Sequence, residues 1–467
     1  METSATHSNL ERFVQDAIEQ LQRRDPELYA MLDMEYRRQA NVLTMVASSS
    51  IAEPSALICG AMTTMNVTAE GYPGRRYHAG CRYIDEIEQL AIDRAKAAFG
   101  AQWANVQPMS ASSANEVVMF SVLNPGDTLL GMELDSGGHL THGSKVSISG
   151  QVFHAVGYGL DANERINYAQ VHQLARQHRP KLIICGASAY AREIDWARFR
   201  QIADEVGAYV LADIAHIAGL VAAGIHPSPI DHAHFTTTCT HKQLFGARGG
   251  LIMMGRDHDR LAADNKTTLS LLLQRKVFPF FQGAPNQSAI AAKARGLAFV
   301  ATDEFKRIAQ RIVQLSHALA RAFSERGYRI ITGGSDNHIV VVDVWQKGIS
   351  GTNAERALED CGIIVNKNRI PFDKNSSVVT SGIRLGTNGL AIREMEPSDM
   401  VECVSVIDAI LLASRQISDR EYVLDLGVRA EAERTIARIC ARRPIATYPV
   451  PQVIPGAIGN PLLQNAL

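Results

Sequence analysis

Cysteine is scarce: seven in 467 residues, an odd number in unrelated contexts, with no CxxC or metal-ligand spacing. Neither a disulfide framework nor a bound metal is therefore expected to organise the chain, and a reducing, cytoplasmic setting is the simplest expectation. An excess of one charge is also lacking. The 47 Lys and Arg against 48 Asp and Glu leave a net charge of −1, so nothing points to nucleic acid or to an anionic membrane. No run approaches eighteen uninterrupted apolar residues, and Met1-Glu-Thr-Ser-Ala-Thr has neither the basic nor the apolar region of a secretory leader. No internal repeat or charge block interrupts the sequence. The 46% apolar and 20% charged residues are those of an ordinary globular protein. Its length suits a large domain with a smaller companion.

The chemistry is concentrated in Thr236-Thr-Thr-Cys-Thr-His-Lys-Gln-Leu-Phe-Gly-Ala-Arg-Gly-Gly250. β-Favouring threonines lead into Lys242, and a glycine pair follows shortly, which places an amine on a turning, polar segment. An amine condenses with an aldehyde only when neutral, and the neighbouring cations His241 and Arg248 favour that state. Upstream, Gly207-Ala-Tyr-Val-Leu-Ala-Asp213 reads as a buried strand ending in a carboxylate. A carboxylate at the carboxyl end of a parallel strand faces the crevice where α/β proteins bind ligands. Pyridoxal phosphate needs this pairing: a lysine for its aldehyde and an acid that keeps its ring nitrogen protonated. Pro108-Met-Ser-Ala-Ser-Ser-Ala-Asn115 opens a helical pattern. Its hydroxyls and free amides suit either a phosphate or a simple helix cap.

These segments occur together with Ala69-Glu-Gly-Tyr-Pro-Gly-Arg-Arg-Tyr77, Gly137-Gly-His-Leu-Thr-His-Gly143 and Thr380-Ser-Gly-Ile-Arg-Leu-Gly-Thr387. In that order and spacing, over roughly residues 30 to 448, the chain resembles the serine hydroxymethyltransferases of pyridoxal-phosphate fold type I. The resemblance implies an α/β fold whose large domain (49–300) holds a mostly parallel seven-stranded sheet. A helical arm (1–48) precedes it, and a smaller α/β domain (301–448) and an extended tail (449–467) follow. It also implies a homodimer, or a tetramer, and tetrahydrofolate as co-substrate.

Carried over residue by residue, the resemblance makes Lys242 the covalent anchor, Asp213 the partner of the ring nitrogen and His139 the imidazole stacked on the ring. Ser110, Ala111, Ser112, Ser188, His216, His241 and Gly283 complete the cofactor contacts, Gly283 from a neighbouring subunit; for Ser188 a plain strand-end cap is an equal reading. Arg384 grips the substrate carboxylate, with Ser48, Tyr77 and His78 beside the substrate. Glu70 manages protons. Glu70, Asn115, Leu134, Gly138, Leu140 and Asn368 border the folate.

The chain departs from the family pattern at Ser49, Thr68, His78, Met109, Ala111, Ser136, Phe280 and Phe281. Thr68 stands where tyrosine is common, so it opens room of about one methyl group beside the substrate, where crowding would cost about 1–3 kcal/mol. Cleavage of serine or α-methylserine is expected. A folate-independent aldolase or transaldolase acting on threonine-like substrates needs the same electron sink, and a non-catalytic cofactor-binding paralogue is the remaining alternative. Phe280 and Phe281 either fill space at the site's mouth or select substrate.

Overall fold

The computed structural model describes residues 8–449; the expected tail beyond Pro449 lies outside them. Helix α1 (Asn9–Arg24) begins where Ser8 and Glu11 cap each other's backbone amides, and α2 (Pro26–Asn41) follows with Asp25 as its cap and proline in its first turn. Neither helix buries a residue. Further along, α3 (Arg82–Phe99) turns Ile84, Ala91, Ala95 and Phe99 inward and stops at the left-handed Gly100. The next helix, α4 (Ala111–Val122), starts at the Ser110 cap.

The large sheet has seven strands: β1 (Trp103–Asn105), β2 (Thr128–Met132), β3 (His154–Tyr158), β4 (Leu182–Gly186), β5 (Tyr209–Asp213), β6 (Phe235–Cys239) and β7 (Gly250–Met254). Their order is β1-β7-β6-β5-β4-β2-β3, and only β7 runs against its neighbours. The expected mostly parallel, seven-stranded sheet is thus present. Strands β4, β6 and β7 are buried at every residue, which explains their unbroken runs of apolar residues and threonine. Strands β4, β5 and β6 are parallel neighbours, so the segments leaving them, which carry Ser188, Asp213 and Lys242, emerge at one sheet edge.

Helices α5 (Gln287–Val300) and α6 (Asp303–Glu325) lead into a second sheet. It contains β8 (Arg329–Ile330), β9 (Ile339–Asp343), β10 (Asn366–Asn368) and β11 (Gly382–Gly386), in the order β8-β9-β11-β10 and all antiparallel. One continuous apolar core joins both layers, from Leu43 through Val210 to Cys440.

The end of the expected N-terminal arm is built into this second layer. Leu43–Thr44 pairs in parallel with Ile363–Ile364, and the Gly386 amide donates to the Met45 carbonyl at 2.7 Å. A Cβ at Gly386 would lie 2.4 Å from the Ala47 Cα, so the two backbones touch only because that residue is glycine. The segment bearing Ser48 is therefore held by the same strand that carries Arg384.

Candidate active site

Asp213 is buried at the end of β5, and each of its oxygens is held. Oδ1 accepts the Ala215 amide at 3.0 Å, and Oδ2 accepts the Asn115 Nδ2 at 2.8 Å and faces the His142 Nε2 at 3.1 Å. Burial alone would raise this carboxyl's pKa. The bonds from His142 and Asn115, with the fields of His142 and His139, outweigh it and hold the group well below the usual carboxylate range. The result is a fixed anion that can keep a pyridine nitrogen protonated.

Asn115, expected near folate, lies beside Asp213. It is fully buried, and its amide is used by Asp213, by Thr141 Oγ1 at 2.9 Å and by the Thr237 hydroxyl at 2.5 Å. It is a hub beside Asp213, with both amide hydrogens and one acceptor site of its oxygen engaged. The hub also orients His139. The Thr141 amide donates to the His139 Nδ1 at 3.2 Å, and the Thr141 hydroxyl lies 2.8 Å from the same nitrogen. A backbone amide can only donate, so Nδ1 is the bare nitrogen of a neutral ring. Burial lowers the His139 pKa to about 4, with His142 and Lys242 adding to the effect against the opposing pull of Asp213.

Lys242 follows β6 by three residues and is half-buried. His241 turns away from it toward Arg248, at 3.1 Å, and burial with the charges of Arg248 and Lys242 lowers its pKa to about 4. His216 is buried with its Nδ1 unpartnered. Its pKa is pushed well below the ordinary value, first by burial and then by Lys242 and Arg384. At the start of α4, the Ser110 hydroxyl accepts the Ser113 amide at 3.0 Å, so it serves as a cap. The first-turn amides of Ala111 and Ser112 have no acceptor within the helix and face the same N-terminus.

Arg384 reaches this group from β11. Its Nη1 donates to the Ser188 carbonyl and its Nε to the Asn366 Oδ1 at 3.0 Å. Among the described residues it has no ion-pair partner. Burial lowers its pKa to about 10, which leaves it charged near neutrality. Ser188 contributes its backbone carbonyl here, while its own amide donates to Gly137 at 2.7 Å. A guanidinium held by two neutral acceptors can still grip a carboxylate.

A second set of expected residues gathers around Glu70. His78 Nε2 lies 3.4 Å from the Glu70 Oε2, and a Cβ at Gly283 would sit 3.1 Å from the Glu70 Oε1. Tyr77, 75% exposed, packs its ring 5.5 Å from that of Phe278. Thr68 is exposed beside them. The loop is anchored by Arg76, which pairs with Asp85 at 2.7 Å and buried Glu88 at 2.6 Å and donates to the Ala69 and Gly71 carbonyls. Among the described residues no hydrogen bond or ion pair joins Thr68, Glu70, His78 or Gly283 to Lys242, Asp213 or Arg384. Phe281 packs edge-on to Phe120 at 5.4 Å against the core, whereas Phe280 is 56% exposed under Lys276.

Of the expected folate-side residues, Leu134 and Leu140 are exposed. Gly138 has no room for a side chain, because a Cβ there would meet the Met132 carbonyl at 2.0 Å. Asn368 lines a crevice between the layers with Asp135, Ser136 and Gly137, and an Arg369–Asp135 ion pair bridges it.

The Lys242 group can therefore hold an aldehyde at Lys242, a protonated ring nitrogen at Asp213, a flat ring beside His139, a phosphate at the α4 terminus and a carboxylate at Arg384. His142, which holds Asp213 at 3.1 Å, is absent from the residues expected from the sequence; its signal was its place in His139-Leu-Thr-His142. A family model described as serine hydroxymethyltransferase matches residues 21–407, a span that includes both groups and both sheets. Its members are hydroxymethyltransferases that use pyridoxal phosphate, with tetrahydrofolate as co-substrate. The residues above fit that cofactor, and the chain belongs to the serine hydroxymethyltransferase family.

Proposed function

We propose that this enzyme cleaves serine or α-methylserine between Cα and Cβ, passes the one-carbon unit to tetrahydrofolate, and does so as a homodimer. The observation that carries the reading is Arg384, charged, half-buried and without an anion, on the same side of the sheet edge as Lys242 and Asp213. Its fork fixes the amino-acid carboxylate and hence the direction in which the Cα–Cβ bond points. Lys242 would hold the cofactor's aldehyde, and Asp213 would keep a proton on its ring nitrogen. The bound cofactor supplies the electron sink that accepts the bonding pair. Glu70 takes the proton from the substrate's β-hydroxyl and returns it in the reverse direction.

Glu70, His78, Gly283 and Thr68 form a group apart from Lys242, and a second copy would bring them to its site. Thr68 leaves room for an α-methyl group. Product analysis with serine, α-methylserine and threonine, each with and without tetrahydrofolate, tests the reading. Folate-dependent consumption of serine or α-methylserine is expected, and a Thr68→Tyr variant should lose the α-methyl substrate first. The ion pair across the Asn368 crevice favours one rival, a folate-independent aldolase. Acetaldehyde release from threonine that ignores folate would establish the rival instead.

A further inference from the structure

His338 precedes β9 in the small layer and is wholly buried. Its ring lies 5.7 Å from that of His216, with only 17° between the planes. Its Nε2 is 3.0 Å from the Ala47 carbonyl, which accepts only, so Nε2 carries the proton. The ring is neutral: burial lowers its pKa to about 3, with Arg384 and Lys242 adding to the effect against the pull of the Ala47 bond. Nδ1 is therefore a bare acceptor, and it has no partner. Orientation is thus set from one end by a backbone carbonyl and across one face by another imidazole.

The Ala47 carbonyl is a node. It also faces the Asn388 Nδ2 at 3.4 Å, and the Asn388 Oδ1 accepts from Gln243, the neighbour of Lys242, at 3.3 Å. Ser48 is the next residue in the chain. Beside His338, the Asn337 Nδ2 donates to the Tyr190 carbonyl at 3.1 Å, pinning the small-layer loop to the segment after β4. His216, by contrast, makes no hydrogen bond to the described residues, so nothing else polar fixes its ring.

We propose that His338 is a positioning residue: anchored on the Ala47 carbonyl, it sets the ring plane of His216 and holds the Ser48 segment, so both depend on how the small layer seats against the large sheet. Two tasks are assigned to different parts of one imidazole. The Nε2–H holds residues 45–48, and the ring face holds His216. His338→Phe keeps a flat face and removes the donor, whereas His338→Gln keeps an N–H at similar reach and removes the face.

The test uses the full-length, cofactor-loaded protein. Peptide-level hydrogen exchange over residues 43–51 reports the first task. Glycine affinity, read from the cofactor's visible spectrum, reports the second. In His338→Phe, exchange over 43–51 should quicken by about 3–10-fold, as expected for loss of one hydrogen bond, with glycine affinity changed less. In His338→Gln, exchange should stay near wild type while glycine affinity falls by at least about 3-fold, the size of a lost aromatic pair contact. Equal behaviour of the two variants in both readouts would overturn the assignment, since a merely structural histidine would not separate them. If a variant does not fold, ring-nitrogen NMR of the wild type decides. A proton on Nε2 and none on Nδ1 from about pH 5 to 9 supports the proposal, and protonated Nδ1 overturns it. The exchange and NMR readouts do not depend on which substrate the enzyme takes.

Discussion

Replacing Asn115 with leucine keeps a similarly branched shape at slightly greater bulk and removes the hub. Three contacts go: to Asp213 at 2.8 Å, to Thr141 at 2.9 Å and from Thr237 at 2.5 Å. The first is a bond to a charged group, worth about 1.5–3 kcal/mol, and the other two are neutral bonds of about 0.5–1.5 kcal/mol each. Because they share one side chain they will not simply add, and a loss of about 3–4 kcal/mol in the cofactor-free protein is expected. The variant also removes one of the bonds that depress the Asp213 pKa, so its hold on a protonated ring nitrogen weakens. Urea denaturation measures the first effect, and equilibrium dialysis against pyridoxal phosphate the second, where a fall of about 10-fold or more corresponds to one unit of pKa relaxation. A variant that kept its stability to within about 1 kcal/mol and its cofactor affinity, yet lost folate affinity, would refute this account. It would return Asn115 to the folate role read from the sequence.

Three other outcomes follow from the same geometry. Arg384→Lys should raise KM for the amino acid by about 10–100-fold, because an ammonium cannot form two parallel bonds to a carboxylate, while cofactor affinity stays near wild type; an unchanged KM would place the carboxylate elsewhere. Lys293 is buried, and its Nζ donates to the carbonyls of Val106 at 2.5 Å, Pro108 at 2.9 Å and Gly250 at 3.0 Å. Lys293→Met takes a shared donor from three buried carbonyls, of which that of Pro108 still accepts the Gly250 amide at 2.8 Å, and should cost about 1–3 kcal/mol by chemical denaturation, with looser binding of phosphate at the neighbouring Ser110 loop. Asp213 has a folded-state pKa below its unfolded value, so the stability it contributes is present above about pH 4 and is lost as pH falls below that. Asp213→Asn should therefore flatten the acid limb of the stability profile, and an unchanged limb would mean that the carboxylate is not held as described.

The fold was legible wherever burial dictates residue type. Strands β4 and β5 bury nearly every residue and show it as unbroken apolar runs, and α6 shows its inward stripe from Phe305 to Phe323. Asp213 was readable because it ends such a run and Lys242 because it follows one, whereas Arg384 came only from the resemblance. Asn115 was not readable. Its sequence neighbours say only that it sits on a helix, whereas its role depends on Asp213 and Thr237, 98 and 122 residues away. His338 was hidden for the same reason, since the Ala47 carbonyl that orients it is 291 residues distant. Ser48 was assigned to the arm because pairing of Leu43–Thr44 with Ile363–Ile364 leaves no local pattern in either segment. Long-range polar contacts are satisfied pairwise and carry no periodicity for a sequence to display.

The electrostatics of the Lys242 group bear on how the chemistry is divided. His139, His216 and His338 all have lowered pKa values, each first through burial and then partly through the charge of Lys242. Protonating any of them would add a cation to a desolvated pocket that already contains the Lys242 and Arg384 side chains. Asp213 is displaced from neutrality in the opposite sense and remains an anion. The lowered values of the three imidazoles and the anionic Asp213 favour orienting and polarising roles for these four groups over proton relay near pH 7. On the proposed function, a β-hydroxyl proton is then carried by a group from outside this set. Glu70, half-buried beside His78 and Gly283, has the required chemistry, and among the described residues no hydrogen bond or ion pair joins it to Lys242 in its own chain. A mixture of Glu70→Gln and Lys242→Ala chains should therefore recover activity, because a hybrid dimer would contain one site with both groups intact. Recovery to about a quarter of the wild-type level is expected from random pairing, since half of the dimers are hybrids and each has one working site. No recovery, with hybrid dimers demonstrated, would mean that Glu70 and Lys242 act within one chain.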